Sequence, residues 1–569
     1  MKANNVKNIF LRFVQDHLGI IMTIAFSLVC FVGVFRLISP VNINNMGGMH
    51  SWLSGSTMKF VNNWLDEGAA ELNFTNYEDP ASVEFQNLRD REPYLSYPSG
   101  ETFFVYVAAK VTGKQQITIP FLHKFQIVMF AIEAVLFACF VYCFLSRTLK
   151  MKGDVTKVAV SVLTAVLWMI LPVCSYYLSN IYYAYQCVIL FVMAFVLIEY
   201  LIRTNTSKNN LWLKIIRSVI LFSGVLIDYY FWFVALFFFL AELVFAWLQN
   251  KKGQRKKELL SVTGWFGIPV VLALIVFFIQ LNLTSGWLEI MKDRFNERVM
   301  GGEKTIDWIM GMIFSNFAQA FSLGNETVFY LIFLLLVGVI GGVVILILRK
   351  KVSALVRNPG VSVMLCGILA IVFQIFFFSN HSAVHEFSMI KVGWIIALLP
   401  LFLSVICYLL IEKNYLGVGK CSKKFFLLYV LCYLLVFFAV GLPVSTKNYS
   451  TQRLEAVDYS FESMIAEQTD YNDVVFSYSL EIPINPPQSL AISRKRIYKI
   501  DDLEEMSLKM NGLVSDAKSL LVVDKKAGSD VKLKKQIECL HKNGKKRFED
   551  DSYLLLEVNE YKKCMIPNN

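Results

Sequence analysis

Residues 218–240 read SVILFSGVLIDYYFWFVALFFFL, with a single charged side chain, Asp228, among them. Two apolar runs meet at Ile227-Asp228-Tyr229-Tyr230, and each is long enough for a bilayer crossing, which takes about 20 residues. A water-soluble strand or helix has no use for so continuous an apolar stretch. The short connection therefore joins two membrane spans. Similar runs recur in both directions from Met22 to Val440, and after Pro443 the composition turns abruptly charged and mixed. The expected fold class is an α-helical polytopic membrane protein of about 11 transmembrane helices, carrying a small C-terminal α/β domain. Composition agrees: 56% of the 569 residues are hydrophobic, and the mean hydropathy is +0.51. The expected domains are 1–444 in the membrane and 445–569 outside it.

Loop charges set the orientation, because short cytoplasmic loops collect Lys and Arg. The N-terminus, Arg147–Lys157, Arg203–Arg217, Lys251–Lys257, Arg349–Arg357 and Lys413–Lys424 form one basic set. The alternate short loops, around Ser175–Ile181, Asp228–Tyr230 and Asn380–His385, carry no Lys or Arg. This places the N-terminus in the cytoplasm and the tail outside. Lys2, Lys7 and Arg12 precede a first span from about Leu18 to Ile38 with no cleavage site after it, so it is not read as a removable signal. The net charge of +11 lies in these loops and in the tail, which argues against nucleic acid as a partner.

Two outer loops are long, 40–120 and about Thr284–Glu326, and long loops are usually functional. In the first, His50–Leu65 and Glu101–Val111 show apolar residues at helical spacing. They are expected as amphipathic helices in the membrane interface, with a turn at Tyr97-Pro98-Ser99-Gly100. The tail alternates helix and strand patterns: helix Thr451–Glu467, strands Val474–Tyr478 and Leu490–Ile497, helix Asp501–Leu513, strand Leu520–Asp524, helix Asp530–Leu540, and a last strand Tyr553–Val558. Cys539 and Cys564 fall in this tail, and their pairing is left open by the sequence.

Ionisable groups near membrane depth are functional candidates by default. His50, Asp66, Glu67, Asp228, His381, His385, Glu386 and Lys391 all belong to the outer side. Asp228 also has a plain reading as the cap of the next helix. His381 and His385 stand one helical turn apart and face one way. They suit a divalent metal completed by His50 or Asp228, a phosphate contact, or hydrogen bonds to backbone and headgroups. Arg89, Arg91, Arg294 and Arg298 put guanidinium groups outside, suited to headgroups or to a phosphate-linked lipid. Glu133 and Glu242 lie inside spans and read as interhelical hydrogen-bonding groups.

Several segments resemble the GT-C superfamily of membrane glycosyltransferases, in the bacterial branch similar to dolichyl-phosphate-mannose–protein mannosyltransferases of glycosyltransferase family 39. They are Met49-His50-Ser51-Trp52, Trp64-Leu65-Asp66-Glu67-Gly68, Tyr94-Leu95-Ser96-Tyr97-Pro98-Ser99-Gly100, Leu226–Tyr230 and Asn380–Phe387. The resemblance implies a bacterial plasma-membrane enzyme. It would move a sugar from a polyprenyl-phosphate carrier to a glycan, lipid or protein acceptor outside the cytoplasm. It implies a base in the first loop, offered here by His50, Asp66 or Glu67, with Asp228 as a further catalytic candidate. It also implies substrate contacts from Arg89, Arg91, Tyr97, Arg294, Arg298, His381, His385, Glu386 and Lys391. The chain departs from the pattern at His50, where many relatives carry an acid, at Tyr97-Pro98-Ser99 in place of a double proline, and at Asn180, where an acid is common.

A transporter or lipid flippase would also explain the spans, but it has no need of a long first loop or an outer domain, and no internal repeat is visible. A catalytically inactive scaffold of envelope-polymer assembly is the third reading.

Overall fold

The computed structural model describes residues 2–38, 50–151, 153–179, 183–205, 210–249, 253–299, 304–322, 325–348, 358–412, 423–452, 457–478, 485–525 and 531–565. Among these, eight helices are long and apolar enough to cross a membrane, from His17–Leu37 to Glu386–Cys407. One shorter apolar helix, Val430–Val444, follows them, so the described residues give eight long spans where about eleven were expected. The inward faces of the helices form one continuous core that includes Trp168, Phe195, Phe238 and Trp394. The opposite faces expose Val271, Ile275, Leu334 and Phe376, which is the arrangement a surrounding lipid phase demands.

The first outer loop folds as a helix, Ser51–Glu67, a 3-10 turn Leu88–Asp90, and a second helix, Gly100–Val111. Only the second keeps the expected amphipathic character, with Phe103, Val107 and Val111 exposed and Val105 and Ala109 buried. The first does not lie on a surface: Leu53 through Leu65 are all buried. The reason is the C-terminal domain, whose helix Pro487–Ser493 packs along it. Gly55 marks the closest approach, since a Cβ there would stand 2.6 Å from the backbone nitrogen of Gln488. The second long outer loop contributes helices Trp287–Val299 and Ile306–Ser322.

The C-terminal domain is built on five strands, β1 (Asp473–Tyr478), β2 (Ile497–Ile500), β3 (Lys518–Asp524), β4 (Lys545–Glu549) and β5 (Tyr553–Glu557). Their order is β2-β1-β3-β5-β4, parallel across the first three and antiparallel at β5 and β4. Val474, Phe476, Leu521 and Leu556 pack on one face; Val475, Leu520, Val522 and Leu555 meet Phe461 and Ile465 of helix Ser460–Gln468 on the other. Cys539 and Cys564 form a disulfide.

The expected strand Leu490–Ile497 is mostly helix. Pro487 in the first turn presets the helical φ, and Arg494, left-handed at φ 57°, ends it before β2 begins. Strand β4 was not expected; its Lys545-Lys546-Arg547 lettering suits a charged sheet edge. The expected helix from Thr451 is split, with the chain helical to Gln452 and again over Ser460–Gln468, and residues 453–456 outside the described set.

The domain is fastened to the first outer loop by charge. Arg494 pairs with Asp66, Arg496 with Asp79 at 2.9 Å, and Lys509 with Glu84 at 3.5 Å. Val83 of the loop enters the domain's core beside Val474 and Leu503, and its N–H donates to the Tyr471 carbonyl.

Candidate active site

Asp228 caps helix Tyr229–Gln249, accepting the Tyr230 N–H at 2.6 Å. The cap reading is therefore correct and incomplete. Lys391, from the 3-10 turn Glu386–Val392, donates to both carboxylate oxygens at 3.0 and 2.9 Å. Both residues are 2% exposed. Taking two charges out of water is costly unless they meet in good geometry, and this bidentate contact supplies it. The first turn of helix Gly100–Val111 presses on the same loop: the Gly100 N–H donates to the Leu226 carbonyl at 2.9 Å, and a Cβ on Gly100 would stand 2.3 Å from that oxygen. This contact brings Glu101, 5% exposed, toward the pair. Burial pushes the Glu101 carboxyl up to about 8; Asp228 adds to the rise and Lys391 opposes it. The carboxyl is thus largely protonated at neutral pH.

Above this layer lies a polar cavity of about 280 Å³, lined by Trp52, Tyr94, Tyr97, Arg294, Arg298, Asn380, His381, His385 and Phe387, among others. Tyr97 Oη and His381 Nε2 share a hydrogen bond of 3.1 Å, and the Arg298 guanidinium stacks 4.5 Å over the Tyr97 ring. The rings of His381 and His385 are 4.7 Å apart. Burial holds His381 well below the usual imidazole range, helped by Arg298, His385 and Lys391. It holds His385 down to about 4, with His50 adding to the fall and Glu386 opposing it. Both rings are neutral near pH 7 and keep one donor and one acceptor each.

His50 meets this group from the first loop. Its Nε2 lies 2.6 Å from Glu386 Oε1, an oxygen that also accepts from the Tyr177 hydroxyl at 3.3 Å. The His50 ring sets its edge on Phe387 at 4.9 Å. Glu386, at the start of the helical segment Glu386–Cys407, thus places a carboxylate on His50.

The other expected residues are placed elsewhere. Arg91 grips Glu67 through two bonds of 2.6 and 3.0 Å and also donates to the Asp79 carbonyl. It is buried and holds the loop together. Asp66 is engaged by Arg494 of the C-terminal domain. Arg89 is exposed on its 3-10 turn and does not line the cavity. Asn180 lies outside the described residues. Among the described residues no three His, Cys, Asp or Glu side chains gather as a metal site. The residues expected to complete one around His381 and His385 are committed: His50 to Glu386, and Asp228 to Lys391. With Arg298 beside the His pair, the donor set suits an anion better than a cation.

An apolar groove of about 330 Å³ adjoins the cavity, walled by Tyr229, Trp232, Phe277, Leu281, Trp287, Met291, Phe295 and Phe378. Arg294 and Arg298 line both spaces.

No family model and no curated protein matches the sequence. Among solved structures, the fold is similar to the archaeal oligosaccharyltransferase AglB of Archaeoglobus fulgidus in complex with an inhibitory peptide and a dolichol-phosphate. The identity is 11% and the TM-score 0.52, over 90% of this chain and 70% of that one. The oligosaccharyltransferase tethered to an acceptor peptide gives 12% and 0.53 over the same shares. Its complex with zinc and sulfate gives 12% and 0.51, over 88% of this chain and 68% of that one. At such identity the likeness is one of fold: a helical membrane part with a C-terminal domain, as the sequence led one to expect.

Proposed function

We propose that this chain is a membrane glycosyltransferase that takes a sugar from a polyprenyl-phosphate carrier and passes it to an acceptor outside the cytoplasm. One observation carries the reading: an apolar groove and a polar cavity meet at two guanidinium groups, Arg294 and Arg298. An isoprenoid chain fits the groove, its phosphate sits at the arginines, and the sugar enters the cavity. Guanidinium binds phosphate bidentately and stabilises the charge that grows as the carrier departs.

His50, oriented by Glu386, is the base of this reading. The acceptor oxygen forms its bond to the anomeric carbon as the bond from that carbon to the carrier phosphate oxygen breaks. The acceptor's proton passes to His50 Nδ1, and the carrier leaves as a phosphate monoester held by Arg294 and Arg298. General base catalysis of this kind contributes about 10²- to 10⁴-fold. Tyr97, His381 and His385 supply hydrogen bonds to the sugar, and the Asp228–Lys391 pair lies behind Tyr97, 6.0 Å from its ring at Lys391 Nζ. The alternating loop charges support an outer position for the site. The Cys539–Cys564 disulfide supports it too, since such bonds persist in oxidising compartments. A bacterial plasma membrane is the setting that fits both.

Purified protein incubated with radiolabelled polyprenyl-phosphate sugars is expected to release or transfer the sugar. His50→Ala is expected to lose that turnover while remaining folded, and Arg298→Ala to require more donor to reach it. Absence of turnover with every donor, together with donor-independent flux through the protein in liposomes, would replace this reading with that of a transporter.

A further inference from the structure

His50 has φ 65° and ψ 19°, the left-handed region that side-chain-bearing residues visit rarely. Such a backbone persists only where its surroundings over-determine it, and it is found preferentially at functional sites. Glu386 fixes the His50 ring from one side at 2.6 Å. The backbone is fixed from the other: the His50 carbonyl accepts the Leu53 N–H at 3.0 Å, which ties it to the first turn of helix Ser51–Glu67. That first turn is held in turn by the C-terminal domain, where Gln488 Nε2 donates to Ser51 Oγ at 2.9 Å. Gln488 is placed by two features of sequence. Pro487 opens its helix, and Gly55 lets the backbone at 487–488 approach within the space of a missing Cβ.

We propose that Gln488 is a positioning residue for His50, acting through Ser51 to hold the left-handed turn that sets the imidazole on Glu386 and against Trp52 and Phe387, two of the residues that line the cavity. The C-terminal domain, more than 400 residues distant in sequence from the first loop, is thereby part of the catalytic apparatus although none of its side chains lines the cavity. This rests on the reading of His50 as the base.

The test is steady-state turnover of a radiolabelled polyprenyl-phosphate sugar by the full-length protein in detergent. Gln488→Ala is expected to lower kcat by about five- to tenfold, the worth of one hydrogen bond, with the donor KM within about twofold. Ser51→Ala removes the same bond from the other side and is expected to match it. Gln488→Glu, whose carboxylate accepts from the Ser51 hydroxyl, is expected to restore most of the rate. In a double-mutant cycle, His50→Ala with Gln488→Ala is expected to be no slower than His50→Ala alone. Additive losses, a change confined to KM, or a Gln488→Glu variant as slow as Gln488→Ala would overturn the proposal. So would wild-type turnover by Gln488→Ala beside an inactive His50→Ala, and then the base assignment stands. A fully active His50→Ala, or a wild type that turns over no donor, removes the base assignment and the proposal together.

Discussion

Two buried ion-pair clusters among the described residues of the helical bundle are built differently. In one, Arg203 pairs with Glu199 at 2.8 Å and Glu242 at 3.0 Å, and Arg217 pairs with Glu199 at 2.9 Å. Two arginines face two glutamates, Arg203 adds a bond to Ser362 at 2.7 Å, and none of the cavities described above is lined by these residues. In the other, Asp228 and Lys391 pair beside a third group, Glu101, under a cavity that contains two neutral histidines and two arginines. The first set answers each charge with a partner and ties helices together. The second leaves a buried carboxyl able to gain or lose a proton near a space where a ligand fits. Burial of charge is common to both; only the second adds a third carboxyl and stands next to a residue that lines the cavity, Tyr97, and that combination marks a site.

The sharpest attack on this distinction is to break one pair in each set. Removing one partner of a buried ion pair costs about 3–5 kcal/mol, so Lys391→Met and Arg203→Met are both expected to lower the melting temperature in detergent. Turnover per folded molecule is expected to fall by about 100-fold in Lys391→Met, because the support behind Tyr97 shifts, and to stay near wild type in Arg203→Met. Equal loss in both would erase the contrast.

A somewhat smaller effect tests the third carboxyl. With Glu101 raised to about 8 from an ordinary 4.5, the unfolded chain releases this proton between those values while the folded one keeps it. Folded stability from this group is therefore full below pH 4.5 and is lost as pH rises to about 8, on the order of a few kcal/mol in all. Melting temperatures across that window are expected to decline more steeply in wild type than in Glu101→Gln. Parallel curves would return Glu101 to the ordinary carboxylates.

Next in size, Arg298→Ala is expected to raise the donor KM by about 10- to 100-fold, the worth of a charged hydrogen bond, in a titration of turnover against donor. The smallest change is the control. Arg89→Ala, exposed and off the cavity, is expected to alter stability by less than about 0.5 kcal/mol, with turnover unchanged in the same assay.

Much of this was legible from residues alone, for reasons that can be named. Asp228 stands between two apolar runs, so its cost is visible without coordinates; His381, His385 and Glu386 fall within one short outer segment. Their partners were not legible. Lys391 reaches Asp228 across 163 positions, and Glu386 reaches His50 across 336. Pattern in one chain carries no signal for such pairings. Glu101 was missed because an acid in the first turn of a helix is ordinary, favoured there by the helix dipole; only its burial makes it unusual. Asp66 and Glu67 were candidate bases because they are acids in a long loop; their pairing with Arg494 and Arg91 was not legible. The strand expected over Leu490–Ile497 followed its apolar and β-branched residues and gave too little weight to Pro487.

Val83 has a consequence for biosynthesis. It belongs to the first outer loop yet completes the core of the last domain, beside Val474 and Leu503. About 390 residues of chain separate it from that core, which at ~5–20 residues per second takes the ribosome roughly 20 to 80 s to make. Throughout that interval the loop stands with an apolar plug uncovered and its acids Asp66, Asp79 and Glu84 without the basic residues that later meet them. The nascent protein is therefore most exposed to proteases and chaperones at this loop, and arrival of the tail converts it to the enclosed form.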